Sequence, residues 1–125
     1  MNMIPFFKNS IKNTDKNLSD PQVVKDLKID IDAIAFNIQK LPFMIKMGVN
    51  MMGITSSISN IRSSLNGITN GNNVENNTQS LKNNFKALDA KFKNNKQYEK
   101  ALKSYLGNDY LKVFDSVNSM VNKSN

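Results

Sequence analysis

The chain of 125 residues has no cysteine and no histidine. Without cysteine there is no disulfide framework and no thiolate metal site. Without histidine the commonest general base and the commonest transition-metal ligand are both missing. Tryptophan is absent as well, and Arg62 is the only arginine. No run of about twenty apolar residues occurs, and Lys40 and Lys46 interrupt the best candidate, so no membrane-spanning helix is expected. The stretch from Met1 to Phe7 lacks the order of basic start, apolar run and small-residue cleavage site that marks a secretory signal. The expected location is therefore cytoplasmic.

The same poverty extends to catalytic patterns. There is no phosphate loop, no nucleophile elbow and no metal-binding pair. A Ser–Lys pairing through Ser56, Ser57 or Ser63 is formally open, but no feature marks any of them. Asp26, Asp30 and Asp32 form the one acid cluster. They fall in a helical pattern rather than a calcium loop, so salt bridging with nearby lysines is the expected role. No cofactor, metal or small-molecule substrate is implied, and the protein is expected to be non-enzymatic.

What the chain does have is helical periodicity. Met44, Met47, Met51, Ile54, Ile58, Ile61, Leu65 and Ile68 alternate at steps of three and four, which places all eight on one stripe of an α-helix. The flanks of that stripe are small and uncharged: Gly48, Asn50, Thr55, Ser57 and Ser64, with Arg62 the one charge. An open coiled coil usually carries Glu and Lys there. The spacing predicts a long central helix at about 43–66, closed in by neighbours from the same chain or from other copies. The stripe itself suits a core, a self-assembly seam or a membrane-facing surface. Methionine, which adapts its shape, fits a core gap and a tolerant groove equally well.

Residues 1–18 read as a flexible arm whose Phe6 and Phe7 could dock on a groove. Asp20 before Pro21 marks a helix start. Val24, Leu27, Ile31, Ile34, Ile38 and Leu41 carry a second stripe as far as Pro42, which ends or kinks it. Asn66 to Thr78 is rich in Asn and Gly and reads as an exposed loop. A third stripe, Leu81, Phe85, Leu88 and Phe92, follows over about 79–94, and Asn94-Asn95 offers a break. Tyr98, Leu102 and Tyr105 extend the pattern to Gly107, and Tyr110, Val113, Phe114, Val117 and Val121 make a last short helix. Residues 19–122 thus form one all-α domain, a bundle of four or five amphipathic helices. A chain of this length buries roughly two thirds of its unfolded surface, enough for a single core.

Net charge is +7. Lys82, Lys86, Lys93, Lys96, Lys100 and Lys103 keep near one helical face if the helix is continuous, away from the apolar stripe, so they are expected to be solvated. Abundant Lys, Asn and Ile with a lone Arg is also what an AT-rich genome produces, so drift competes with function as the origin of that row. Three functional readings stay open. The first is a small basic protein acting by protein–protein interaction or self-assembly, an accessory or structural protein of a phage or mobile element. Its candidate contacts are Met44, Met47, Met51, Ile54, Ile58, Phe6 and Phe7. The second is a binder of anionic membrane surfaces through the lysine row. The third is a non-specific nucleic-acid binder; one arginine and no interleaved exposed aromatics argue against sequence reading.

In size, basic charge and helical content the chain resembles bacteriocin immunity proteins, which are small four-helix bundles. No motif carries that resemblance. Small helical secretion substrates are similar in the same broad way, but the central Trp-x-Gly turn of that class is absent.

Overall fold

A computed structural model describes residues 13, 15–40, 51–96, 99–100, 103–104 and 110–123. The architecture is all-α, with no strand among the described residues. Four helices are described from end to end: α1 Pro21–Gln39, α2 Met51–Thr69, α3 Val74–Lys93 and α4 Tyr110–Lys123. Residues 96, 99, 100, 103 and 104 are helical as well.

The start of α1 follows from its first residues. The Gln22 N–H donates to the Asp20 carboxylate at 2.9 Å, so Asp20 caps the helix and Pro21 takes the first helical position, where no N–H is needed. Val24, Leu27, Ile31, Ile34 and Ile38 are all buried, as their spacing predicts. So are Val23, Asp26, Asp30 and Ala33, one position round the helix. Two sides of α1 are therefore closed to water, and more of α1 than of α2 is buried. Leu18 is buried too, and the side-chain amide of buried Asn13 reaches Asp26 at 2.9 Å. The last part of the expected arm is thus packed against α1. Phe6 and Phe7 lie outside the described residues.

α2 carries the long stripe. Ile54, Ile58, Ile61, Leu65 and Ile68 are at most 8% exposed. Met44 and Met47 lie outside the described residues, as does the side chain of Met51. Helix propensity does not explain α2, since Gly53 and Gly67 each weaken a helix interior by about 1 kcal/mol. Burial of each large side chain gives roughly 1.5–3 kcal/mol before entropy is subtracted, and that decides in favour of the helix.

α2 and α3 pack side by side as an antiparallel hairpin. Their direction is fixed by three cross-links: Asn60 to Asn84 at 3.2 Å, Lys91 to Ser57 at 3.4 Å, and the Gly67 backbone against the Asn77 side chain. Ser57 and Ser64, seven residues apart, are both buried. Leu81, Phe85, Leu88 and Phe92 fill the α3 side, each at most 1% exposed.

The connection is tighter than the expected 66–78 loop. α2 runs on to Thr69 and α3 begins at Val74, leaving four residues between them. The Asn72 N–H donates to the Gly67 carbonyl at 2.9 Å and the Gly71 N–H to the Ile68 carbonyl at 3.1 Å, with Gly71 at φ 72. This is a Schellman ending, in which a left-handed glycine lets the last carbonyls find donors. Asn73 is left-handed too, at φ 41, a conformation Asn tolerates better than most residues. Asparagines that read as loop formers are absorbed into helix ends: Asn77 donates its amide to the Asn72 carbonyl at 2.7 Å.

Outside the hairpin, α1 joins α2 through the ion pair of Arg62 with Asp32, at 2.8 Å. α4 joins α3 through the Asn118 amide and the Asp89 carboxylate, at 3.5 Å, and through buried Val117 and Met120. The acid cluster is thereby split. Asp32 pairs with Arg62 of α2, thirty residues away, rather than with a nearby lysine. Asp26 accepts amide hydrogens from Asn13 and, at 3.0 Å, from Gln22. A buried carboxylate needs such donors, because its desolvation is costly otherwise.

Candidate interaction surface

Two sets of residues were candidates from sequence, and the structure places them differently. In the first set, Ile54 and Ile58 are 1% and 5% exposed within a single chain. They belong to the core and offer no surface to a partner in this fold. The expectation that both shoulders of the central helix are shut away is corrected in the same region. Ser57 and Ser64 are covered, but Met52, Thr55, Ser56, Ser59, Ser63 and Asn66 face water. Hydroxyl and amide side chains hydrate without charge, so an uncharged flank does not by itself mean burial.

The second set is the lysine row. Lys86, Lys93, Lys96, Lys100 and Lys103 are exposed and Lys82 is half-buried. The row is not carried on one unbroken described helix. α3 ends at Lys93, and Asn94 and Asn95 separate it from the helical residues that hold Lys96, Lys100 and Lys103. The Asn94 N–H still reaches the Ala90 carbonyl at 2.9 Å and the Glu99 N–H reaches the Asn95 carbonyl at 2.9 Å, so backbone turns continue on both sides.

Two acids fall within the row, and both are engaged. Lys93 meets Asp89 at 3.0 Å and Lys103 meets Glu99 at 3.6 Å, each one helical turn apart. Pairs one helical turn apart contribute about 0.3–0.5 kcal/mol at an exposed surface. The Asp89 carboxylate is drawn inward: its side chain is 13% exposed, one oxygen takes Lys93 and Asn118, and the other is buried with no hydrogen-bond partner. Its charge is turned towards α4. Among the described residues no ion pair engages Lys86, Lys96 or Lys100.

The concentration of charge is the feature that the row alone did not convey. Residues 82–103 contain seven lysines, Lys91 included, against two acids. Five of the seven net positive charges of the whole chain therefore fall in this segment. Residues 51–81 hold Arg62 and Glu75 and are neutral overall. A lysine-biased genome would scatter its surplus more evenly.

Other concavities carry less chemistry. A depression of about 690 Å³ is lined by Val74, Glu75, Asn76, Thr78 and Gln79, with Glu75 the one ionisable group among them. A cleft of about 100 Å³ lies between Leu18, Pro21, Val24 and Ile68. No group of three or more metal-ligating side chains occurs among the described residues. Nor is any helix among them long and apolar enough to cross a membrane. No protein-family model, no curated protein and no solved structure matches this chain.

Proposed function

We propose that this protein is non-enzymatic and works by contact, presenting the lysine surface of residues 82–103 to an anionic partner at a cytoplasmic location. The observation that carries the reading is the crowding of five of the seven net charges into residues 82–103, where Lys86, Lys93, Lys96, Lys100 and Lys103 are exposed and both acids are engaged. The test compares two variants of equal charge for retention on heparin at low salt. Lys86→Gln/Lys96→Gln/Lys100→Gln should lose retention, while Lys16→Gln/Lys25→Gln/Lys40→Gln should keep most of it. Equal losses would mean that net charge alone is read, and the surface would have no special standing.

A second reading, protein–protein contact by self-assembly, is favoured by the outward face of α2. Met52 is 84% exposed, and Thr55, Ser56, Ser59 and Ser63 follow it at helical spacing, with Arg62 the one charged residue of α2. Two copies of a +7 chain repel least across such a face. Light scattering over a hundredfold concentration range should then show the mass rising towards a dimer; a constant monomer mass removes the reading.

A further inference from the structure

We infer that the partner of the lysine surface is the plane of an anionic lipid bilayer, met by electrostatic adsorption without insertion. The inference rests on the contact reading above and names its partner.

The lysines decide between partner classes. Carboxylate-bearing protein surfaces are best gripped by arginine, whose planar fork binds two oxygens at once, and protein interfaces are depleted in lysine. The sole arginine lies on α2, paired with Asp32. Single-stranded nucleic acid is held on exposed aromatic rings between basic residues. Here the aromatic side chains of the segment that are described, Phe85 and Phe92, are fully buried in the hairpin. A bilayer asks for neither. Its headgroups form a laterally mobile sheet of negative charge, which accepts point charges at any spacing. A cluster of four to eight basic side chains on an amphipathic helix suits it. The interruption at Asn94 and Asn95 would spoil a matched rod-to-rod interface, whereas mobile headgroups need no fixed register between the exposed lysines on either side of it.

The mode of contact follows from the side chains described on this surface. The exposed large apolar residues among those described are Phe36, Met52 and Val74. None lies in residues 82–103, so nothing described on this surface is available to enter the hydrocarbon. Lys93 and Lys103 are partly neutralised by their neighbours, which leaves Lys86, Lys96 and Lys100 as the principal contacts.

The experiment is co-sedimentation of the full chain with sucrose-loaded vesicles, either pure phosphatidylcholine or phosphatidylcholine with a third phosphatidylserine. The expected result is pelleting with the anionic vesicles alone. Each lysine near an anionic leaflet strengthens adsorption about fivefold, so Lys86→Gln/Lys96→Gln/Lys100→Gln should lower the partition coefficient about a hundredfold. Lys16→Gln/Lys25→Gln/Lys40→Gln should lower it far less. Raising the salt to about 1 M should release the protein, because the Debye length falls to about 3 Å. Three results overturn the inference. Retention at high salt would show insertion. Equal loss in both variants would show that the surface is not the contact. Absence of pelleting, with surface-specific heparin retention intact, would exclude lipid while leaving the contact reading in place.

Discussion

Gly71 sits at φ 72, and an added Cβ would meet nothing within 4 Å. Its requirement is therefore purely conformational. Gly71→Ala should lower the unfolding free energy by about 1–2 kcal/mol, the usual cost of a left-handed residue with a side chain. Gly71→Asn should lose less, since Asn enters that region more readily. Urea midpoints of the two variants check this, and equal losses would mean that space rather than backbone conformation is limiting. Gly71 was legible in the sequence as a turn former. Gly67 was not, because its constraint is the Asn77 side chain folded back across the hairpin. Asp26 and Asp30 show the converse failure. A carboxylate four residues from another on a helix reads as surface, and of the two donors described at Asp26, Gln22 stands at a helical spacing that sequence alone could have matched. Asn13 reaches it across a chain separation no local rule covers.

At the scale of elements, the stripes were legible because a three-and-four spacing leaves one geometry open to an apolar side chain. The buried positions of α1, α2 and α3 follow it closely. Boundaries were less so. Asn and Thr between residues 66 and 78 are mediocre helix formers, yet tertiary packing recruits them: Thr78 is buried against the core, and the Thr69 hydroxyl donates to the Leu65 carbonyl at 2.8 Å. The same dependence on packing gives a prediction. A peptide of residues 51–69 should be mostly coil in dilute buffer, because its Gly, Ser, Thr and Asn content outweighs any unpacked gain. A peptide of residues 51–93, which contains both sides of the hairpin, should show far more helix per residue. Circular dichroism measures both, and strong helicity in the shorter peptide would contradict the claim that burial holds α2 in place.

Across the whole molecule, the core is shared by all four helices, whereas five of the seven net charges fall in residues 82–103. That uneven layout opposes folding. Lys82 with Lys86, and Lys96 with Lys100, stand four residues apart, where like charges on a helix destabilise by about 0.2–0.5 kcal/mol a pair. A surface shaped only by stability would not keep them so close, and their retention is what the docking reading explains. The sequence showed the row but not how far its acids are occupied, since Asp89 turns towards Asn118 of α4 only in three dimensions. If the lysines serve binding at the expense of folding, Lys86→Gln/Lys100→Gln should raise the urea midpoint at low salt, by the equivalent of about 0.5–1 kcal/mol. The gain should shrink as salt approaches about 1 M, where the repulsion it removes is already screened. A lowered midpoint would instead make these side chains part of the scaffold, and the lysine surface would need no partner to account for it.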